Sequence, residues 1–86
     1  MFRLEVYVMR RNSFDVTVDI LETARTGAKK TRIVYGSNLN FDIVKGYLRN
    51  LIDNGLLALD EKGRYVTTGK GVKFVEDYRS LLKSFN

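Results

Sequence analysis

Eighty-six residues are enough for one domain and leave no room for a separate catalytic unit. Cysteine and histidine are both absent, which removes disulfides, thiolate nucleophiles, the usual zinc ligands and imidazole acid-base chemistry, and with them most enzyme classes. The formal charge is +5, and it is local: residues 23–52 hold Arg25, Lys29, Lys30, Arg32, Lys45 and Arg49 against the single acid Asp42, while the other bases and acids balance. A clustered excess of this kind points to an anionic partner. No apolar run approaches the roughly 18 residues of a transmembrane helix, so no membrane partner is expected and a cytoplasmic location is.

Along the chain, Phe2, Leu4, Val6 and Val8 alternate with Arg3, Glu5, Tyr7 and Met9, the period-2 pattern of a half-buried strand within residues 1–11. Asn12 or Ser13 caps a first helix whose apolar stripe is Phe14, Val18, Leu21 with Val16, Ile20 and Ala24, and Gly27 ends it. A short second helix begins at Lys30 or Thr31, turns Ile33 and Val34 inward, and is broken by Gly36, Ser37 and Asn38.

The third helix has the clearest start. Asn40 reads as its N-cap, Asp42 suits the positive first turn, and Leu39 and Val44 stand at the hydrophobic-staple positions. Val44, Tyr47, Leu48, Leu51 and Ile52 form its inner stripe over residues 41–54, and Gly55 supplies a left-handed C′ residue. Residues 56–60 and 64–67 are short strands joined by Glu61, Lys62 and Gly63. Thr68 caps a last helix carrying Val72, Phe74, Val75, Tyr78, Leu81, Leu82 and Phe85. Phe74, Tyr78, Leu81 and Phe85 fall on one line and Val72, Val75 and Leu82 on another, so one line is expected to cover the core and the other to meet a second copy.

Strand, helix, short helix, tight turn, capped helix, hairpin and helix predict an α+β domain of the winged helix-turn-helix class: a three-helix core, a two-stranded β-wing, a C-terminal helix and an N-terminal strand. Its expected parts are residues 1–11 for the strand, 12–67 for the core and 68–86 for the helix that follows. The segments Gly27-Ala28-Lys29-Lys30-Thr31-Arg32-Ile33, Leu39-Asn40-Phe41, Tyr47-Leu48, Leu51-Ile52, Asn54-Gly55-Leu56-Leu57 and Thr67-Thr68-Gly69-Lys70-Gly71 resemble the archaeal winged-helix family of small DNA-binding proteins and predicted transcription regulators. That resemblance spans roughly residues 12–83. It implies that the helix over 41–54 reads DNA and that the helix after the wing dimerises.

The candidate DNA-binding residues are Lys29, Lys30, Thr31, Arg32, Asn40, Phe41, Asp42, Lys45, Gly46, Arg49, Lys62 and Arg64. Asp42, Lys45, Gly46, Arg49, Asn50 and Asp53 form the outward face of the third helix; Arg suits guanine and Asn suits adenine in the major groove. Lys29, Lys30, Thr31 and Arg32 open the second helix, where free amides favour a phosphate. Lys62 and Arg64 on the wing could touch a flanking minor groove or backbone, with Asp60 and Glu61 neutralising the tip. Gly46 lies mid-helix at a cost of about 1 kcal/mol relative to Ala, explained either by close approach of DNA or by tight packing against a neighbouring helix.

Two lookalikes receive plainer readings. Tyr35 and Phe41 resemble a base-stacking pair, yet their spacing across a helix-helix turn suggests core. Asp15, Asp19 and Glu22 imitate a divalent-ion site, and an exposed acidic face is the simpler reading. No cofactor, catalytic residue or small-molecule ligand is expected. The expectation is a dimeric, nucleoid-associated regulator binding double-stranded DNA; the alternative is a winged-helix interaction module in a transcription or repair assembly.

Overall fold

The computed structural model describes residues 13–85, and the expected strand over Phe2–Val8 lies outside them. Four helices and one antiparallel hairpin follow in order: α1 (Ser13–Thr23), α2 (Lys30–Ser37), α3 (Phe41–Asp53), β1 (Leu57–Leu59), β2 (Tyr65–Thr67) and α4 (Gly69–Ser84). This is the winged helix-turn-helix arrangement that the sequence predicts.

The core gathers one stripe from each helix. Val16, Ile20, Leu21 and Ala24 come from α1 and the turn after it, Ile33 from α2, Val44, Leu48 and Leu51 from α3, Leu57 from β1 and Val75 from α4, all buried. Their spacings of three and four residues on α1 and α3 place them on one side of each helix. Ser37, one turn beyond Ile33, is buried on the same face of α2, and its hydroxyl donates to the Val34 carbonyl at 3.1 Å. The second helix therefore runs through Gly36 and Ser37 and is ended by Asn38 alone, which takes the left-handed conformation at φ 58°.

Turn chemistry sets the angle between α2 and α3. Asn38 closes α2 by donating its backbone N–H to the Val34 carbonyl, and two residues later Asn40 caps α3, its Oδ1 accepting from the Ile43 amide at 2.9 Å. Leu39 packs against the core between them. The third helix stops at Asp53, one residue short of expectation, with Asn54 as C-cap and Gly55 at φ 77°.

The hairpin pairs Leu57 with Thr67, Ala58 with Val66 and Leu59 with Tyr65. Asp60 organises its tip: Oδ1 accepts from the backbone amides of Lys62 and Arg64, and Gly63 takes the positive φ of 79°. The base of the wing is tied to the helices by Ala28, which exchanges two backbone hydrogen bonds with Tyr65 at 2.9 and 2.8 Å. Thr67 adds a buried bond from its hydroxyl to the Leu21 carbonyl. The wing is thus a fixed extension of the helical core.

Thr68 serves two elements at once. Its Oγ1 accepts from the Gly71 amide as the cap of α4 and donates to the Gly55 carbonyl beyond the end of α3. Lys70 Nζ satisfies the Asn54 carbonyl at 2.9 Å.

Four expectations are corrected. Phe14 and Ile52, assigned to inner stripes, are 59% and 37% exposed; Phe14 instead stacks on the outside with Phe74 and Tyr78, ring centroids 6.2 and 6.3 Å away. Tyr35 is 85% exposed because it falls off the Ile33 face of α2, and Phe41, on the Val44 side of α3 but at its first residue, is 46% exposed at the helix end, so neither is core. The apolar surface of α4 divides along its length, with no separation into two lines. Val75 is buried, Val72, Phe74 and Tyr78 are half-buried at the core end, and Leu81, Leu82 and Phe85 are exposed at the far end. Finally, a Cβ built on Gly46 meets nothing within 4 Å, so packing against a neighbouring helix does not account for that glycine.

Candidate nucleic-acid interface

The exposed face of α3 is Asp42, Lys45, Gly46, Arg49, Asn50 and Asp53, as its periodicity requires once Val44, Leu48 and Leu51 point inward. Gly46 is central on this face and leaves the helix backbone bare. To one side a cleft of about 310 Å³ opens, with Lys30 of α2, Lys45 and Arg49 of α3 and Tyr65 of β2 around it, and Asp53 as its one acid. Three cations from two helices therefore surround one concavity.

Phe41 links the two helices electrostatically. Its ring has Lys30 Nζ 5.1 Å and Lys45 Nζ 5.9 Å from the centroid, so its negative π-density attracts an ammonium group from each helix. The aromatic that resembled a stacking platform carries lysines here.

The remaining candidates divide into two groups. Lys29 is the N-cap of α2 without a side-chain cap bond, and Thr31 and Arg32 are exposed on its first turn, outside the residues around the cleft. Lys62 is exposed at the wing tip. Asn40 and Arg64 are engaged in the fold. The Asn40 carboxamide is held in the capping orientation at the start of α3, its Oδ1 accepting from the Ile43 amide. Arg64 Nε donates to Asp60 Oδ2 at 3.0 Å, and its guanidinium lies beside Gly27. The Arg64 amide, with the Arg64 side chain and the Lys62 amide, holds the Asp60 carboxyl below its ordinary range against some desolvation.

The acidic face of α1 is also structural. Tyr78 of α4 donates its hydroxyl to the Asp15 carboxylate, and Arg79 reaches Glu22 at 2.6 Å. These contacts strap α4 to α1, and among the described residues no group of three or more acidic side chains is placed to hold a metal ion. Nor is any helix of the described residues long and apolar enough to cross a membrane.

Sequence reasoning missed Tyr65, whose place beside the cleft depends on the Ala28 bridge. It also missed Ile43, exposed on the far side of Gly46; its spacing of one residue from buried Val44 is the signal that could have found it.

A short helix joined by a tight turn to a capped, outward-facing helix, followed by a two-stranded wing, defines a winged helix-turn-helix protein. The family model described as "Winged helix-turn-helix" matches residues 10–85, and the chain belongs to that family. An uncharacterized protein of Methanocaldococcus jannaschii is 31% identical over 78 residues, covering 90% of this chain and 79% of that one. The crystal structure of Sso10a-2, a DNA-binding protein from Sulfolobus solfataricus, is similar with a TM-score of 0.76 at 28% identity, over 85% of this chain and 80% of that one.

Proposed function

We propose that this protein binds double-stranded DNA as a homodimeric, nucleoid-associated transcription regulator of the cytoplasm, built as a single winged-helix domain with no catalytic role. In this reading α3 enters the major groove, the first turn of α2 meets the backbone through Lys29, Lys30, Thr31 and Arg32, and Lys62 of the wing lies alongside. One observation carries it: Lys30, Lys45 and Arg49 converge on one cleft beside a helix face whose centre is bare glycine backbone. The likeness to a structure titled as a DNA-binding protein supports the same partner. Asn40 and Arg64 act in this reading as structural supports of the interface.

For self-association, Leu81, Leu82 and Phe85 are the contact residues, since they form an exposed apolar end on α4 while Val75 already serves the core. A two-fold pair would address half-sites about one helical turn apart.

Fluorescence anisotropy with labelled duplexes across a salt series tests the proposal. With about four phosphates neutralised per protomer, the log-log slope for the dimer is about −7. Arg49→Ala and Lys30→Ala weaken binding and each reduce the slope magnitude by about 1 per protomer. Sedimentation of a Leu82→Asp, Phe85→Ser variant yields a monomer if the α4 end is the contact. Wild-type protein that binds no duplex at low salt would favour an interaction module in a larger assembly, a reading that the exposed Tyr35 ring also supports.

A further inference from the structure

Between α1 and α3, on the side of Gly46 away from the lysine cleft, lies a shallow open depression walled by Thr17, Ile43, Tyr47 and Asn50, with Gly46 at its edge. Ile43 is 47% exposed there although it is one of the most apolar side chains of α3. Ile43 and Asn50 are seven residues apart, two turns of the same helix face, which separates them by about 10.5 Å along the axis. That distance is close to three base-pair steps of about 3.4 Å.

We infer that Ile43 and Asn50 are specificity residues that read A·T pairs in the major groove, Ile43 against the thymine 5-methyl group and Asn50 against the adenine N6 and N7 edge. The inference rests on the duplex-binding reading above and adds to it which bases the face prefers. Thymine alone presents a methyl group in the major groove, and adenine alone presents an adjacent acceptor and donor that one carboxamide can satisfy. Gly46 between the two side chains removes the Cβ that would hold the backbone off the base edges. The carboxamide of Asn50 is oriented by its neighbour, its Oδ1 taking a long 3.4 Å contact from Asn54 Nδ2, while the stronger 2.8 Å bond of that amide goes to the Asn50 backbone carbonyl. The occupant is the duplex of that reading, whose backbone would meet Lys45 and Arg49 on the opposite flank of Gly46 while its base edges face Ile43 and Asn50.

Three duplexes of equal length discriminate the idea by anisotropy with the full chain: an A·T-rich duplex, the same duplex with deoxyuridine replacing every thymidine, and a G·C-rich duplex. Wild-type protein binds the thymidine duplex about fourfold more tightly than the deoxyuridine duplex for each methyl contacted. Ile43→Ala, an exposed change whose folding is verified by circular dichroism, binds those two equally. Asn50→Ala keeps the methyl effect and loses about fivefold or more of the preference for A·T over G·C. Equal wild-type affinity for the thymidine and deoxyuridine duplexes, with binding still dependent on Arg49 and on salt, overturns the inference and leaves the duplex reading standing. Wild-type protein that binds none of the three at about 50 mM salt overturns both.

Discussion

Lys30 at the start of α2 places its ammonium group 5.1 Å from the centre of the Phe41 ring at the start of α3, and Lys45 approaches the same ring from within α3. One aromatic thus holds two cations at the turn where the helices meet. A single exposed cation-π contact is worth about 0.5–1 kcal/mol.

Phe41→Leu keeps the apolar volume and removes the ring. Lys30 and Lys45 must then be ordered when the duplex binds, so affinity falls about two- to fivefold, while the salt slope stays at its wild-type value because no charge is lost. Anisotropy measured at several salt concentrations separates intercept from slope. A changed slope would mean that Phe41 does something other than hold these lysines.

Gly46 offers a trade between stability and binding. Its Cβ position is open space within 4 Å, so Gly46→Ala should stabilise the free protein by about 0.5–1 kcal/mol through helix propensity. The same methyl group stands where α3 would meet the base edges, so duplex affinity drops. Urea denaturation and anisotropy on one preparation measure both quantities. Higher stability with unchanged affinity would show that the groove floor does not approach this residue.

Gly71 carries the opposite prediction. A Cβ there would lie within clash distance of the Leu56 carbonyl oxygen and of Thr67 Cγ2, both held in place, one by the Thr68 amide and the other by the bond to Leu21. Gly71→Ala therefore forces α4 away from the base of the wing and costs about 1–3 kcal/mol or more. A lowered urea midpoint, with the α3 face left chemically intact, is the expected result.

What the sequence made legible is the chemistry that acts within a few residues. The Asn40 cap, the Thr68 cap, the positive-φ glycines Gly55 and Gly63 and the strand pair they flank all follow from local hydrogen bonding and backbone sterics, and each is present. The family resemblance was legible for the same reason, since its segments are mostly caps, turns and stripes. Less legible was which edge of each stripe water reaches. Phe14 and Ile52 lie at the margins of inner faces, where helical periodicity is about equally consistent with core or surface, and the neighbouring helices decide. Contacts between distant residues were not legible at all: Asp15 with Tyr78, Glu22 with Arg79 and Ala28 with Tyr65 are set by the packing of α1, α4 and the wing. The convergence of Lys30, Lys45 and Arg49 is intermediate, implied by charge clustering and by the motif, but their cleft also takes Tyr65 from the distant wing as a wall.

The strap between α4 and α1 gives an alkaline signature. Tyr78 has its pKa raised above the ordinary 10.0, first by the hydrogen bond that it donates to Asp15, then by desolvation and by the carboxylate charge. Folding thus favours the neutral phenol, so the strap's contribution is fully present below the unfolded value near pH 10 and is lost as pH rises through the higher folded value. Tyr78→Phe has no proton to lose at this site. It should therefore start less stable than wild type at pH 8 and show a shallower fall between pH 9 and about 11, so that the two stability curves converge. Urea titrations at stepped pH measure the gap, and a gap that stays constant through this range would show that the Tyr78 proton plays no part in joining α4 to α1.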